Sequence, residues 1–274
     1  MEPIKAGGVA MGGGAPLFLI AGPCVIESEE HARRMAEALR GRAAAAGIPL
    51  IFKASYDKAN RSSVRSFRGP GLKEGLRILA AIRRDFELPV LTDVHSAEEA
   101  KAAGESVDVI QIPAFLCRQT DLLQASARTG RVVNVKKGQF MSPWDMRGAV
   151  EKIHAAGNER VLLTERGASF GYNNLVVDMR SLPVLREMAA TVFDVTHSLQ
   201  LPGGAGDHSG GMPQFIEVLA RAGVAAGVDG IFLEVHDDPA HALSDGANAL
   251  PLARLDRMLA QLRAIDAAAR QATS

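Results

Sequence analysis

The chain has 274 residues, with 31 basic and 31 acidic side chains and a formal net charge of zero; 47% of its residues are hydrophobic and 23% charged. That composition is ordinary for a globular protein and excludes a disordered, collagen-like or disulfide-stapled chain. The charge balance argues against a basic, nucleic-acid-binding surface, and no apolar run reaches the roughly 18 residues of a membrane span. Two cysteines, Cys24 and Cys117, give no disulfide framework, and 27 glycines beside only 5% aromatic residues point to many turns and close backbone approaches.

Residues 1–16, MEPIKAGGVAMGGGAP, lack the continuous apolar stretch of a signal peptide and are expected to form a flexible tail, which leaves a cytoplasmic location as the default. From there, short apolar runs alternate with amphipathic, Ala/Leu-rich stretches. Strands are predicted over 17–22, 49–55, 89–94, 107–112, 131–136, 160–165, 191–196 and 230–235. Most are short unbroken apolar runs, as for strands buried on both faces. Helices are predicted over 28–47, 71–86, 96–104, 118–130, 142–157, 181–190, 212–227 and 252–269. Ser28 before glutamates, and Ser96 with Glu99 three residues on, are start signals. Gly47, Gly104, Gly130, Gly157 and Gly227 read as left-handed helix ends. Eight strands alternating with helices predict an α/β fold, a single-domain (β/α)8 barrel over residues 17–270. An open doubly wound sheet fits less well, because no G-x-G-x-x-G follows any strand. The glycine-rich stretch 199–211 is expected to be a mobile loop of that one domain, not a linker.

In such a barrel the chemistry sits at the C-terminal ends of the strands. Polar residues recur at all eight ends, including lysines inside apolar runs. Lys58, Lys136 and Arg166, with Lys53 and Arg61 near them, would converge on one mouth. In a neutral protein that cluster implies a small, highly anionic, phosphorylated substrate. The competing reading pairs these bases with Glu165, Asp93 and Asp57. Cys24, His197, Glu234 and Asp245 form a second set. Their spacings of 173, 37 and 11 residues match no short metal motif. Closure of the barrel would nevertheless make the ends of its first, seventh and eighth strands neighbours, and a Cys/His/carboxylate mix suits Zn, Fe or Mn. Cys24 also reads as a small packed hydrophobe. His95, just after Asp93, reads as a substrate contact or acid/base, and His236, two past Glu234, as a weaker candidate. His31 and His154 read as helix-surface residues, Trp144 and Cys117 as packing.

The stretches AGPCVIES (21–28), FKASYDKANRSS (52–63), LTDVH (91–95), QIPAFLCRQTDLL (111–123), NVKKGQF (134–140), LTERGASFGYNN (163–174), FDVTHSLQLPGG (193–204) and GIFLEVHDDPAHALSDGANALPL (230–252) run in one order. In this the chain resembles the 3-deoxy-D-manno-octulosonate 8-phosphate synthases, a group within the phosphoenolpyruvate-condensing aldolase-like barrels. The resemblance implies condensation of phosphoenolpyruvate with D-arabinose 5-phosphate and water, with release of phosphate, by a cytoplasmic homotetramer supplying a lipopolysaccharide sugar. It implies that Lys53, Ser55, Lys58, Lys136, Gln139 and Arg166 line the phosphoenolpyruvate site, and that Asn60, Arg61 and Ser62 receive the sugar phosphate. Asp93, His95, Gln111, Pro113, Ala114 and Phe115 would line the pocket between them. Catalytic roles fall to Cys24, Asn60, His95, Lys136, His197 and Asp245. Cysteine at position 24, where other members carry asparagine, implies a divalent metal (Zn, Mn, Fe or Co) on Cys24, His197, Glu234 and Asp245. The sister reaction, on erythrose 4-phosphate, and a catalytically silent barrel are the alternatives.

Overall fold

The computed structural model describes residues 2–60, 66–203 and 210–271. Its centre is a closed sheet of parallel strands: β1 (Phe18–Gly22), β2 (Leu50–Lys53), β3 (Val90–Asp93), β4 (Val109–Ile112), β5 (Val132–Lys136), β6 (Val161–Glu165), β7 (Ala190–Asp194) and β8 (Gly230–His236). Each strand pairs with the next in chain order, and β8 pairs back onto β1, which is the expected (β/α)8 barrel. Helices α1 (Glu29–Ala46), α2 (Leu72–Phe86), α3 (Ala97–Ser106), α4 (Thr120–Arg128), α5 (Arg147–His154), α6 (Ser181–Arg186), α7 (Ile216–Ala225) and α8 (Leu255–Gln271) surround it. No described helix is long and apolar enough to cross a membrane.

The apolar residues fall into two clusters. The larger one joins the outward faces of the strands to the helices, through residues such as Leu19, Phe52, Leu79, Ile110 and Leu259. The smaller fills the barrel interior with Phe18, Ile20, Ile51, Leu91, Val109, Val132, Leu162, Val192 and Phe232. Successive strand side chains point to opposite faces. Two residues beyond the last inner apolar side chain therefore come Lys53, Asp93, Gln111, Asn134 and Glu234, again inside, at the C-terminal mouth. The bottom of the barrel is oil and its top is charge. β1 and β2 approach so closely at the mouth that a Cβ on Gly22 would overlap the Lys53 carbonyl oxygen.

Two expectations need correction. The first 16 residues are not a loose tail: Ile4–Ala6 and Val9–Met11 form an antiparallel hairpin. Its Ala6, Val9 and Met11 are buried in the interior cluster, so the hairpin floors the barrel. The physical cause is the open end of the barrel, whose apolar layer would otherwise face water. Gly104 does not end α3, which runs on to Ser106; a Cβ there would meet the Thr129 side chain at 2.7 Å, so this glycine permits close packing. Gly47 does cap α1 in the left-handed region, with φ of 65°. In the loop expected over 199–211, Gln200–Leu201 pairs antiparallel with Gly210–Gly211, and residues 204–209 lie outside the described residues.

Met11 is fully buried. Met11→Ala should therefore lower the unfolding free energy by about 2–5 kcal/mol, read from the denaturant midpoint. A change within error would show that the hairpin adds nothing to the barrel.

Candidate active site

A cavity of about 500 Å³ opens at the barrel mouth. Lys53, Lys58, Asn60, Asp93, His95, Gln111, Pro113, Ala114, Phe115, Lys136, Gln139, Arg166, His197 and Asp245 all line it. Ser55 does not; wholly buried, it donates its hydroxyl to Asp93. Arg61 and Ser62 lie outside the described residues. Gln200, Pro202 and Gly203 complete the wall from the segment after β7.

Buried charges need partners. Lys53 donates to Glu234 Oε1 at 2.9 Å and to the Cys24 carbonyl at 2.8 Å. Lys58 Nζ stands 3.9 Å from the same Glu234 oxygen. Burial works against both ionised forms, but the opposite charges win. They hold the Glu234 carboxyl well below the usual range and the Lys58 ammonium above its own. Lys136 donates to Asp194 Oδ2 at 2.6 Å, with its ammonium 3.9 Å from the Phe232 ring centre. Burial outweighs the opposing charge of Asp194 and, with the charge of Lys53, lowers the Lys136 pKa. Asp194 is the hub the strand-end reading left without a role. Its Oδ1 accepts the Thr196 hydroxyl at 3.0 Å and the His197 N–H at 2.9 Å, and its Oδ2 faces His197 Nδ1 at 2.7 Å. Burial opposes its ionisation, yet His197 and Lys136 hold it well below the carboxylate range.

Arg166 is almost fully buried, with Nη2 donating to Gln200 Oε1 at 2.6 Å. Its Nη1 and the Gln139 Oε1 are buried with no hydrogen-bond partner. Among the described residues, Glu165 sits 3.5 Å from Lys137, and Asp57 pairs with Arg68. An unpartnered buried guanidinium N–H in a cavity that three lysines also line has the chemistry to take an oxyanion.

The second residue set also converges. Cys24, Glu234 and Asp245 each offer a ligand atom within 4.8 Å of the others, and His197 Nε2 is 3.5 Å from Glu234 Oε1. Cys24 Sγ lies 2.8 Å from Ser244 Oγ and 3.5 Å from Asp245 Oδ2. Burial first, then Glu234, pushes the thiol up to about 12. A divalent cation would reverse that, since it deprotonates a coordinating thiol. Glu234 Oε2 is buried without a partner. A carboxylate facing Nδ1, as Asp194 faces that of His197, is the usual second partner of a metal-binding imidazole, and it would leave Nε2 for the ion. These four residues fit a divalent ion of the Zn, Fe, Mn or Co type.

Across the cavity, Glu99 has a part that its sequence position only half announces. Ser96 caps α3 by accepting the Glu99 N–H at 3.2 Å, as expected. The Glu99 carboxylate, though, turns to His95, taking its backbone N–H at 2.8 Å, its Nδ1 at 3.0 Å and the Tyr56 hydroxyl at 2.7 Å. Trp144, expected in the packing, is 63% exposed.

Residues 2–271 match the DAHP synthetase I family. The chain is 66% identical over 265 residues to the 2-dehydro-3-deoxyphosphooctonate aldolase of Koribacter versatilis, covering 96% of this chain and 95% of that one. It is 61% identical over 270 residues to the protein of the same name from Trichlorobacter lovleyi (98% and 99% covered), and 63% identical over 265 residues to that of Geobacter metallireducens (96% and 97%).

His95 is held between Glu99 and Asp93, whose Oδ2 is 3.4 Å from Nε2. Burial disfavours its charge, but the two carboxylates outweigh it and raise its pKa above 6.5. The stability this pairing contributes is complete below the unfolded value and is lost as pH rises through the higher folded one. An NMR titration of His95 should therefore show a midpoint above the ordinary histidine value, and Glu99→Gln should lower it. A midpoint at or below that value in the wild type would contradict the assignment.

Proposed function

The chain belongs to the DAHP synthetase I family, and we infer from that membership and from the site that it condenses phosphoenolpyruvate with D-arabinose 5-phosphate and water. The products are 3-deoxy-D-manno-octulosonate 8-phosphate and inorganic phosphate. The observation that carries this reading is the mouth itself: a cavity of about 500 Å³ walled by Lys53, Lys58, Lys136 and Arg166, over the Cys24/Glu234/Asp245 cluster. Two phosphorylated anions in so small a space repel each other unless cations stand between and around them.

In this reaction C3 of phosphoenolpyruvate forms a bond to the sugar aldehyde carbon, and the aldehyde oxygen takes a proton. Water adds to C2, and the C2–O bond to phosphate breaks, releasing phosphate. Arg166, Lys136 and Gln139 take the phosphate and carboxylate of phosphoenolpyruvate, with the unpartnered Arg166 Nη1 as the directional donor. Lys53 and Lys58, tied to Glu234, fix the floor of that subsite. Asn60, with Arg61 and Ser62 after it, receives the sugar phosphate. Asp93 and His95 face the sugar between, the aspartate as a fixed acceptor and the imidazolium as a proton donor. Pro113, Ala114 and Phe115 supply an apolar edge that limits bulk water. A divalent ion on Cys24, His197, Glu234 and Asp245 would supply Lewis acidity at the cavity wall. Lys136 and Asp194 keep His197 oriented toward it.

The same reading makes the protein a cytoplasmic homotetramer of lipopolysaccharide-sugar synthesis. The exposed Phe140, Trp144, Phe170 and Tyr172 support self-association, since aromatic side chains are enriched at interfaces.

Phosphate release from phosphoenolpyruvate should require arabinose 5-phosphate, and should be negligible with erythrose 4-phosphate or without acceptor. Preference for the four-carbon sugar would transfer the chain to the sister reaction, and no release with any acceptor would leave a silent barrel. Chelation should abolish the activity and added Mn or Zn restore it; Cys24→Ala should not be restored. A chelator-insensitive wild type would remove the metal from the mechanism. Arg166→Lys, which keeps charge but loses the fork, should cost about 1–3 kcal/mol in transition-state binding, roughly 5–150-fold in kcat/KM. An unchanged kcat/KM would displace Arg166 from the anion subsite.

A further inference from the structure

We propose that Glu27, His31 and His236 form a second divalent-metal site, outside the catalytic cavity, that clamps the start of α1 to the end of β8. None of the three lines the cavity, and the site does not rest on the reaction assigned above. One ligand atom from each lies within 4.8 Å of the others. Glu27 Oε1 is 3.2 Å from His236 Nε2, and Glu27 Oε2 is 3.9 Å from His31 Nδ1. The independent observation is His31 itself. Its position in the first turn of a surface helix suggests exposure, but its side chain is only 7% exposed, and its Nδ1 is buried with no hydrogen-bond partner.

The other nitrogens of both imidazoles face one carboxylate oxygen: Asp237 Oδ1 lies 3.0 Å from His31 Nε2 and 3.3 Å from His236 Nδ1. Metal-binding histidines characteristically hand their second N–H to such a carboxylate, which fixes ring and tautomer. Arg34 grips the second Asp237 oxygen through Nε at 3.2 Å and Nη2 at 3.1 Å. Without a cation, His236 Nδ1 accepts the Asp238 N–H at 2.9 Å, so the ring proton sits on Nε2. Binding at Nε2 moves that proton to Nδ1, which then donates to Asp237. The Asp238 N–H keeps an acceptor in Asp237 Oδ1, 3.2 Å away. Two imidazoles and a carboxylate suit zinc or a similar first-row dication, with an open position for water.

The site has a mechanical consequence. Glu27 Oε1 also accepts the Leu243 N–H at 2.8 Å, and the next residue, Ser244, holds the Cys24 sulfur. A cation here would stiffen the segment that leads into Asp245.

Metal-stripped full-length protein titrated with Co(II) tests the proposal, because only the Cys24 site gives a thiolate-to-cobalt band. The wild type should bind two equivalents. Cys24→Ser should retain one, with d–d absorption but no thiolate band, and adding His31→Gln or Glu27→Gln should weaken that one by roughly tenfold or more. Far-UV circular dichroism checks the fold, and the shape-conserving Glu27→Gln stands in if the histidine variant fails to fold. Cys24→Ser binding no cobalt, or the double variants keeping full affinity, would overturn the second site. A wild type with one equivalent and the thiolate band overturns it while sparing the catalytic metal. One equivalent without the band does the reverse.

Discussion

The whole active site depends on ionised Glu234 at the inner wall of the barrel. A carboxylate with no exposure to water is strongly disfavoured unless opposite charge surrounds it. Lys53, Lys58 and His197 converge on one of its oxygens from β2, from the segment beyond it and from the turn after β7. The other oxygen is left bare. That one constraint orients two cavity lysines, places the imidazole and leaves a bare oxygen on the carboxylate that clusters with Cys24 and Asp245. Asp194 repeats the arrangement on β7, with Lys136 and His197. His197 therefore bridges two buried carboxylates, so that removing either would disturb the whole wall.

Charge can be concentrated there because the rest of the barrel is dry. The lower interior layers are apolar and the N-terminal hairpin seals them from solvent with Met11 and Val9. Stiff β-branched and aromatic side chains below hold the strand register on which the polar layer above depends. Around the rim, Glu99 ties His95 to Tyr56 and Glu27 ties His236 to the Leu243 backbone. Glu99, just beyond the cavity, thus sets the orientation of His95, which faces into it.

Much of this was legible in the residues. All eight strands lie where short apolar runs predict them, within a few positions. Lys53 and Lys136 stood out because a charge inside an apolar strand has to point at something. The convergence of Cys24, His197, Glu234 and Asp245 was a consequence of barrel closure, since their spacing alone is uninformative. The hairpin was not legible: its strands of three residues are too short for periodicity to register beside so many glycines. Nor was the burial of His31, which looks like any first-turn helix residue until Asp237 and its neighbours fold over it.

The sequence by itself determined the architecture, the polar mouth and the kind of chemistry, because alternation of strand and helix and the position of charge within each strand are local properties of the chain. Tertiary structure alone decided the partners. Whether Lys136 meets Asp194 or Glu165, and which oxygen of Glu234 stays bare, depends on the register of strands that are distant in the chain. Coulomb energies in a low-dielectric interior change steeply over the few ångströms that this register sets.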